Sequence, residues 1–263
     1  SILQQVHVNV PFSLLTEKYL EFVIENRINP EIGLDARALD TVNESVFRKC
    51  AAALCNNGAE VTFHGPFVDL SPGSNDPQIR DVSRRRFEQV LQLVPLFRPK
   101  TVVCHAGYEE FRYGYMRDEW IENSVEMWHW FSKELTAAGT RLVLENVFEA
   151  GPADLLPLFE VLASDGVGFC LDVGHTSAFG HAPLEKWLNV LGPYLRQIHL
   201  HDNHGDTDTH LPMGQGIIDF DMIFEYLRRN ENRRPLITLE PHVDEDLWPS
   251  LQYLKQHWPW AQG

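Results

Sequence analysis

Basic residues are scarce in this chain. Only 22 Lys and Arg stand against 37 Asp and Glu, a formal net charge of −15. Nucleic-acid enzymes carry a basic footprint to offset phosphates, so this balance opposes a nucleic-acid partner, although bound divalent metals would return positive charge locally. Cysteine is also sparse, at four residues. Cys50, Cys55, Cys104 and Cys170 form no CxxC pair, which argues against a zinc ribbon. Cys104 and Cys170 lie in apolar strand-like runs and read as buried free thiols, which suits a reducing cytoplasm. No apolar run reaches the roughly 18 residues of a membrane span. The opening SILQQVHVNV reads as a strand rather than a signal peptide. The glycine-rich dinucleotide fingerprint is absent, which removes the usual mark of an open doubly wound sheet.

What is present is a regular alternation of strand-like and helix-like segments. Eight strands are expected: VHVNV (6–10), NPEIGL (29–34), EVTFH (60–64), TVVCH (101–105), RLVLE (141–145), VGFCLD (167–172), LRQIHLH (195–201) and PLITLE (235–240). The intervening helices are expected over 14–26, 47–55, 76–96, 119–138, 152–162, 183–191 and 219–229, with a last one over 247–257. Asn56-Asn57-Gly58 and Gly139 are suitable helix stops. Nearly continuous apolar strands fit a parallel sheet covered by helices. The length of 263 residues is usual for one α/β barrel. The expectation is therefore a single (β/α)8 TIM barrel over 1–263, with its active site at the C-terminal ends of the strands.

Six of these strands end on a side chain that can ligate a metal: His64, His105, Glu145, Asp172, His199 and Glu240. They recur mostly at roughly 30–40 residues, the repeat of such a barrel, and its topology would gather them at one mouth. Side chains two apart on a strand share a face. This parity places Thr62, Val103, Val143, Cys170 and Thr238 inward with the ligand-type residues, and Phe63, Leu144, Leu171 and Leu239 outward. Beyond the strand ends lie Asp172-Val-Gly-His175, read as a loop, and Asp208-Thr-His210 followed by Gly214-Gln-Gly216. The strand ends offer no matching run of Lys or Arg. Converging carboxylates and imidazoles without cations would repel or stay neutral, and a metal resolves that conflict. Donors without cysteine suit zinc, manganese, cobalt or iron better than a structural zinc site. By the same reading His201 and His204 belong to a solvated loop, and His181, His242 and His257 are incidental. Tyr108, Glu109 and Glu110 form either a lid or a polar loop.

With these residues in place, the chain resembles the xylose isomerase-like TIM-barrel superfamily over nearly its whole length. Its motifs are most similar to the endonuclease IV (AP endonuclease family 2) branch. The resemblance implies two or three zinc ions. One would be held by His64 and His105 with Glu145 bridging, a second by Glu145, Asp172, His199 and Glu240, and a third by His175, Asp208 and His210. Glu145, Glu240 and His175 are the expected catalytic residues. No clear counterpart of the DNA-penetrating loops is found. Together with the acidic charge, this gives the expected function: a multi-zinc hydrolase of a small phosphoester or amide. The alternative is a metal-dependent sugar or sugar-phosphate isomerase or epimerase, which needs only the four-residue Glu, Asp, His, Glu core. Further down stand a DNA endonuclease and a cobamide nucleotide-loop hydrolase.

Overall fold

In the computed structural model, which describes residues 2–260, eight parallel strands pair in chain order and the eighth closes on the first. They are β1 (His7–Pro11), β2 (Asn29–Gly33), β3 (Thr62–His64), β4 (Thr101–His105), β5 (Arg141–Glu145), β6 (Gly168–Asp172), β7 (Leu195–Leu200) and β8 (Leu236–Leu239). The main crossover helices run over Leu20–Asn26, Glu44–Asn56, Pro77–Phe97, Arg117–Ala137, Leu156–Leu162, Leu184–Leu191 and Phe220–Arg229, and Leu247–His257 follows the last strand. This is the TIM barrel that the alternation predicts. Among the described residues no helix is long and apolar enough to cross a membrane.

Local chemistry sets the helix ends. Asp35, Asp76 and Asp219 each stand at a helix start and accept a backbone N–H, from Ala38 (2.6 Å), Gln78 (2.8 Å) and Met222 (3.1 Å). Such caps satisfy one of the donors that every helix start leaves open. Arg27 and Arg98 close two helices in the left-handed conformation, the geometry that ends a helix by turning the chain away.

Two hydrophobic regions follow from strand parity. The large core lies between sheet and helices and includes Phe63, Leu142, Leu144, Leu171 and Leu239. A separate small cluster of Val103, Val143 and Cys170 plugs the barrel interior. The rest of that interior is polar and hydrogen bonded. Glu31 accepts from Thr62 (2.9 Å), Thr238 (3.1 Å) and Asn9 (3.2 Å). The staggered register pairs Val103 with Val143, His105 with Glu145, Asp172 with His199, and His199 with Thr238. The plug therefore sits one layer below the strand-end ligands.

Some boundaries differ from expectation. The helical segment after β1 begins at Phe12, and a further helix, Ala36–Thr41, follows β2. Glu240 lies one residue past β8. His175 is not in a loop: it sits in the short helix Val173–Ala178, which Asp172 caps. The Asp172 carboxylate accepts from the His175 N–H at 2.7 Å, so one residue both starts the helix and serves the mouth.

Candidate metal centre

All nine expected ligand residues reach one mouth at the C-terminal ends of the strands. Glu145 is the hub. One of its carboxylate oxygens is 3.1 Å from His64 Nε2 and 3.5 Å from His105 Nε2; the other is 3.0 Å from His199 Nδ1. His199 Nδ1 is also 3.2 Å from Glu240 and 3.9 Å from Asp172. On the outer side, Asp208 Oδ2 receives His175 Nε2 at 3.3 Å and His210 Nε2 at 3.0 Å. Within this set, potential ligand atoms of His64, His105 and Glu145 lie within 4.8 Å of one another, as do those of Glu145, Asp172 and His175.

The imidazoles are oriented from behind. His64 Nδ1 donates to the Gly65 carbonyl (3.0 Å), His175 Nδ1 to the Asn146 carbonyl (2.9 Å) and His210 Nδ1 to the Glu240 carbonyl (2.9 Å). A carbonyl only accepts, so each Nδ1 carries a proton and each Nε2 is turned toward carboxylates. This arrangement of an outward-held N–H and an inward nitrogen is characteristic of metal-ligating histidine. Asn146 also brackets Asp172, accepting from its N–H and donating to its carbonyl, both at 3.0 Å.

Three residues depart from the sequence reading. His201 is not in a solvated loop: it is 2% exposed and its Nε2 lies 3.1 Å from both Asp172 oxygens. Its ring stacks on His210 with centroids 3.7 Å apart. Gly174 makes room for that ring, since a Cβ there would collide with it. His242 is not incidental either, because it stacks on the far face of His210 at 3.8 Å. Glu31 was not anticipated at all. It is fully buried, and its Oε1 lies 3.1 Å from His199 Nε2, so His199 can donate to Glu31 and turn Nδ1 to the mouth. By contrast His204 is exposed, as expected of a loop residue, and Tyr108 is a core residue packed on Trp120.

Electrostatics fit a cation. The ion pairs at the mouth are all carboxylate with imidazole; among the described residues no Lys or Arg enters. Burial pushes the Glu145 pKa up, but His199, His64 and His105 outweigh it and hold the carboxyl well below its ordinary range. His175 is lowered by burial yet raised to about 10 by Asp172, Asp208 and Glu145. His210 is raised to about 9 against burial, chiefly by Asp208 and Glu240. In the metal-free protein, protons on imidazole balance the carboxylates, and a dication would replace them. Two buried atoms test the fit. His201 Nδ1 and Asp208 Oδ1 have no hydrogen-bond partner among the described residues, and they face each other 3.7 Å apart. With His210 they form a three-donor group within 4.8 Å. Buried polar atoms without partners are costly, and a shared cation satisfies both.

The backbone holds the outer group firmly. His210 has φ of 50°, uncommon for a side-chain-bearing residue and a mark of a position imposed by its surroundings. Asp202 pins the loop: its carboxylate accepts from the N–H groups of Asn203 (2.9 Å), Gly214 (3.0 Å), Gly216 (2.8 Å) and Ile218 (3.1 Å). The mouth opens into a cleft of about 1420 Å³ that includes His64, His105, Glu145, His175, Asp208 and Glu240 in its wall.

A parallel eight-stranded barrel with carboxylates and imidazoles at its strand ends defines the class. The chain belongs to the xylose isomerase-like TIM barrel family, whose sequence model matches residues 27–260. Among curated relatives it is 27% identical over 205 residues to the uncharacterized protein MJ1311 of Methanocaldococcus jannaschii, covering 75% of this chain and 70% of that protein. It is 25% identical over 191 residues to a probable endonuclease 4 of Mycobacterium tuberculosis, covering 67% and 71%. Among solved structures, the TTHB071 protein from Thermus thermophilus, soaked with ZnCl2, superposes with a TM-score of 0.82 at 26% identity, over 98% of this chain and 100% of that one. A D-tagatose 3-epimerase-like protein gives a TM-score of 0.80 at 22% identity, over 97% of each chain.

Proposed function

We propose that the protein is a divalent-metal-dependent isomerase or epimerase acting on a small sugar-like substrate. The observation that carries this reading is the pair Glu145 and Glu240. They come from strands well separated around the ring, yet both reach His199 Nδ1, at 3.0 and 3.2 Å, and both line the open cleft. Moving a proton at a carbon beside a carbonyl needs one group to take it and another to return it, each within hydrogen-bond reach. Two carboxylates flanking one volume meet that need. His199, Asp172, Glu145 and Glu240 would hold the ion. When bound, it would polarise the substrate oxygens and acidify the adjacent C–H. Glu145, fixed by His64 and His199, and Glu240, fixed beside His210, then stand to exchange protons with the substrate. His175, held by Asn146, reaches the same volume from the Val173–Ala178 helix. The D-tagatose 3-epimerase-like neighbour shares this fold and supports the direction of the search.

Metal-dependent hydrolysis of a phosphoester or amide is the second reading. The outer group of His201, Asp208 and His210 favours it, since proton exchange needs one ion and this group provides for another. The endonuclease 4 relative points the same way. The deciding experiment is incubation of the metal-loaded protein with a panel of ketoses and keto-sugars in D2O, followed by NMR. Carbon-bound deuterium in any of them, reduced at least about a hundredfold in Glu145→Gln and Glu240→Gln, is the expected outcome. No exchange, with release of nitrophenol from nitrophenyl phosphates or nitroaniline from anilides, would replace it with the hydrolase.

A further inference from the structure

The cleft is too large and too apolar at its outer end for a small sugar alone. Binding pockets for small ligands usually span roughly 300–1,000 Å³, and this one reaches about 1420 Å³. Its inner end is the metal mouth. Its outer end is a shelf of Leu14, Phe22, Phe67, Val68, Val243 and Trp248, all in the cleft wall and all solvent-exposed. These residues come from the segments after β1, β3 and β8, three strands that adjoin or nearly adjoin in the ring; Leu14, Phe22 and Trp248 lie in helical turns and Phe67, Val68 and Val243 in loops. Val68 is 66% exposed, Trp248 50% and Phe67 47%. A group of exposed apolar side chains sharing one cleft wall, beside the strand-end mouth, marks a binding surface. Shelf and mouth are continuous: Phe67 stacks on the ligand-type His105 with centroids 4.3 Å apart. At the far side Phe22 and Trp248 meet edge to face at 6.3 Å.

Charge narrows the occupant. Lys18, Arg86 and Arg112 are the Lys and Arg residues of the cleft wall. Each is already paired, Lys18 with Asp244 at 2.8 Å, Arg86 with Asp40 at 2.5 Å and Arg112 with Glu109 at 3.2 Å. Asp35, Asp69 and Asp244 add negative charge to the same wall. Among the described residues no free cation waits for a phosphate or carboxylate at the outer end. We infer that the substrate is a conjugate, with a polar reacting head at the metal mouth and an uncharged, bulky apolar group lying on the shelf. This inference takes the position of the reacting head from the proposed function; the shelf itself does not depend on which bond reacts.

The test is a series of n-alkyl β-D-glucopyranosides from methyl to octyl, below their micelle concentrations, titrated calorimetrically into the metal-loaded protein. Affinity should rise about fourfold for each methylene buried. Trp248→Ala and Phe22→Ala, at exposed positions outside the ligand set, should flatten the rise by about tenfold at octyl while circular dichroism and metal content stay unchanged. A chain ending in carboxylate, as in 7-carboxyheptyl glucoside, should bind at least tenfold more weakly than heptyl glucoside. Flat dependence on chain length, no saturable binding of octyl glucoside, or tighter binding of the carboxylate would each overturn the inference. A chain-length gain without deuterium exchange on any sugar would leave the shelf standing and remove only the epimerase reading.

Discussion

Glu31 shows how a residue outside the mouth can govern it. Its carboxylate faces His199 Nε2 and is held by Asn9, Thr62 and Thr238. Partners of this kind fix the tautomer and orientation of a ligating imidazole, and their loss typically weakens metal binding by about 10–100-fold. Glu31→Gln is expected to do so with the barrel intact, read as the metal dissociation constant by competition with a chelating dye. Glu149 offers a separate handle. It is buried, accepts from Val147 N–H at 2.6 Å and Tyr108 N–H at 3.3 Å, and sits in the cleft wall. Burial lifts its pKa from 4.5 to about 7, against the pull of those N–H groups. The unfolded chain therefore releases this proton first, and stability falls as pH rises from about 4.5 to 7, then levels. The upper bound on the change is roughly 3 kcal/mol. Thermal melts of metal-free wild type and Glu149→Gln across that range should converge at low pH and separate toward neutrality, with the variant the more stable. Parallel curves would remove Glu149 from the account.

At the scale of elements, the loop after β7 is the piece most dependent on one side chain. Asp202 gathers four backbone N–H groups from a segment that carries Asp208 and His210. Asp202→Ala leaves those donors without their acceptor and is expected to cost about 3 kcal/mol. The variant should also bind less metal per chain by elemental analysis, because the group of His201, Asp208 and His210 would lose its support. Unchanged metal content would show that the loop is held by other contacts.

The strands were readable because two signals coincide: near-continuous apolar runs, and a ligand-type residue where six of the eight runs stop. Parity then placed Val103, Val143 and Cys170 inside the barrel, where they form their own cluster. The same parity applies to His201, two residues after His199, but the long polar segment that follows disguised it as solvated. Glu31 was hidden for a different reason. It lies in the middle of Asn29–Gly33, a strand with little apolar signal, and not at its end. The apolar shelf could not be read at all, because its residues are scattered over the helices and loops that follow three different strands and meet only when the ring closes.

For the whole molecule, the mouth is a concentration of buried carboxylates faced by imidazoles. Glu31, Glu145, Asp172 and Glu240 are all buried, and Asp208 adds a fifth carboxylate. Ligands that bind only the folded state stabilise it by mass action, about 4 kcal/mol at a thousandfold excess over Kd. For a chain of this size that is roughly 10 °C in Tm. Chelation followed by reloading with zinc, manganese or cobalt should lower and then restore Tm by about that much, with the preferred ion giving the largest rise. No shift with any of the three would contradict a metal centre.

Ring closure rests on a narrow seam, with β1 meeting β8 through His7 with Thr238 and Val8 with Leu239. The residue that completes the mouth, Glu240, follows directly on that last strand. During translation, the donors therefore leave the ribosome in an order that begins with Glu31 and ends with Glu240. A nascent chain can offer His64, His105 and Glu145 early, but the pocket around His199 exists only after synthesis has passed β8 and the two edges have met. An ion held at that position would therefore enter only after synthesis has passed Glu240 and the ring has closed.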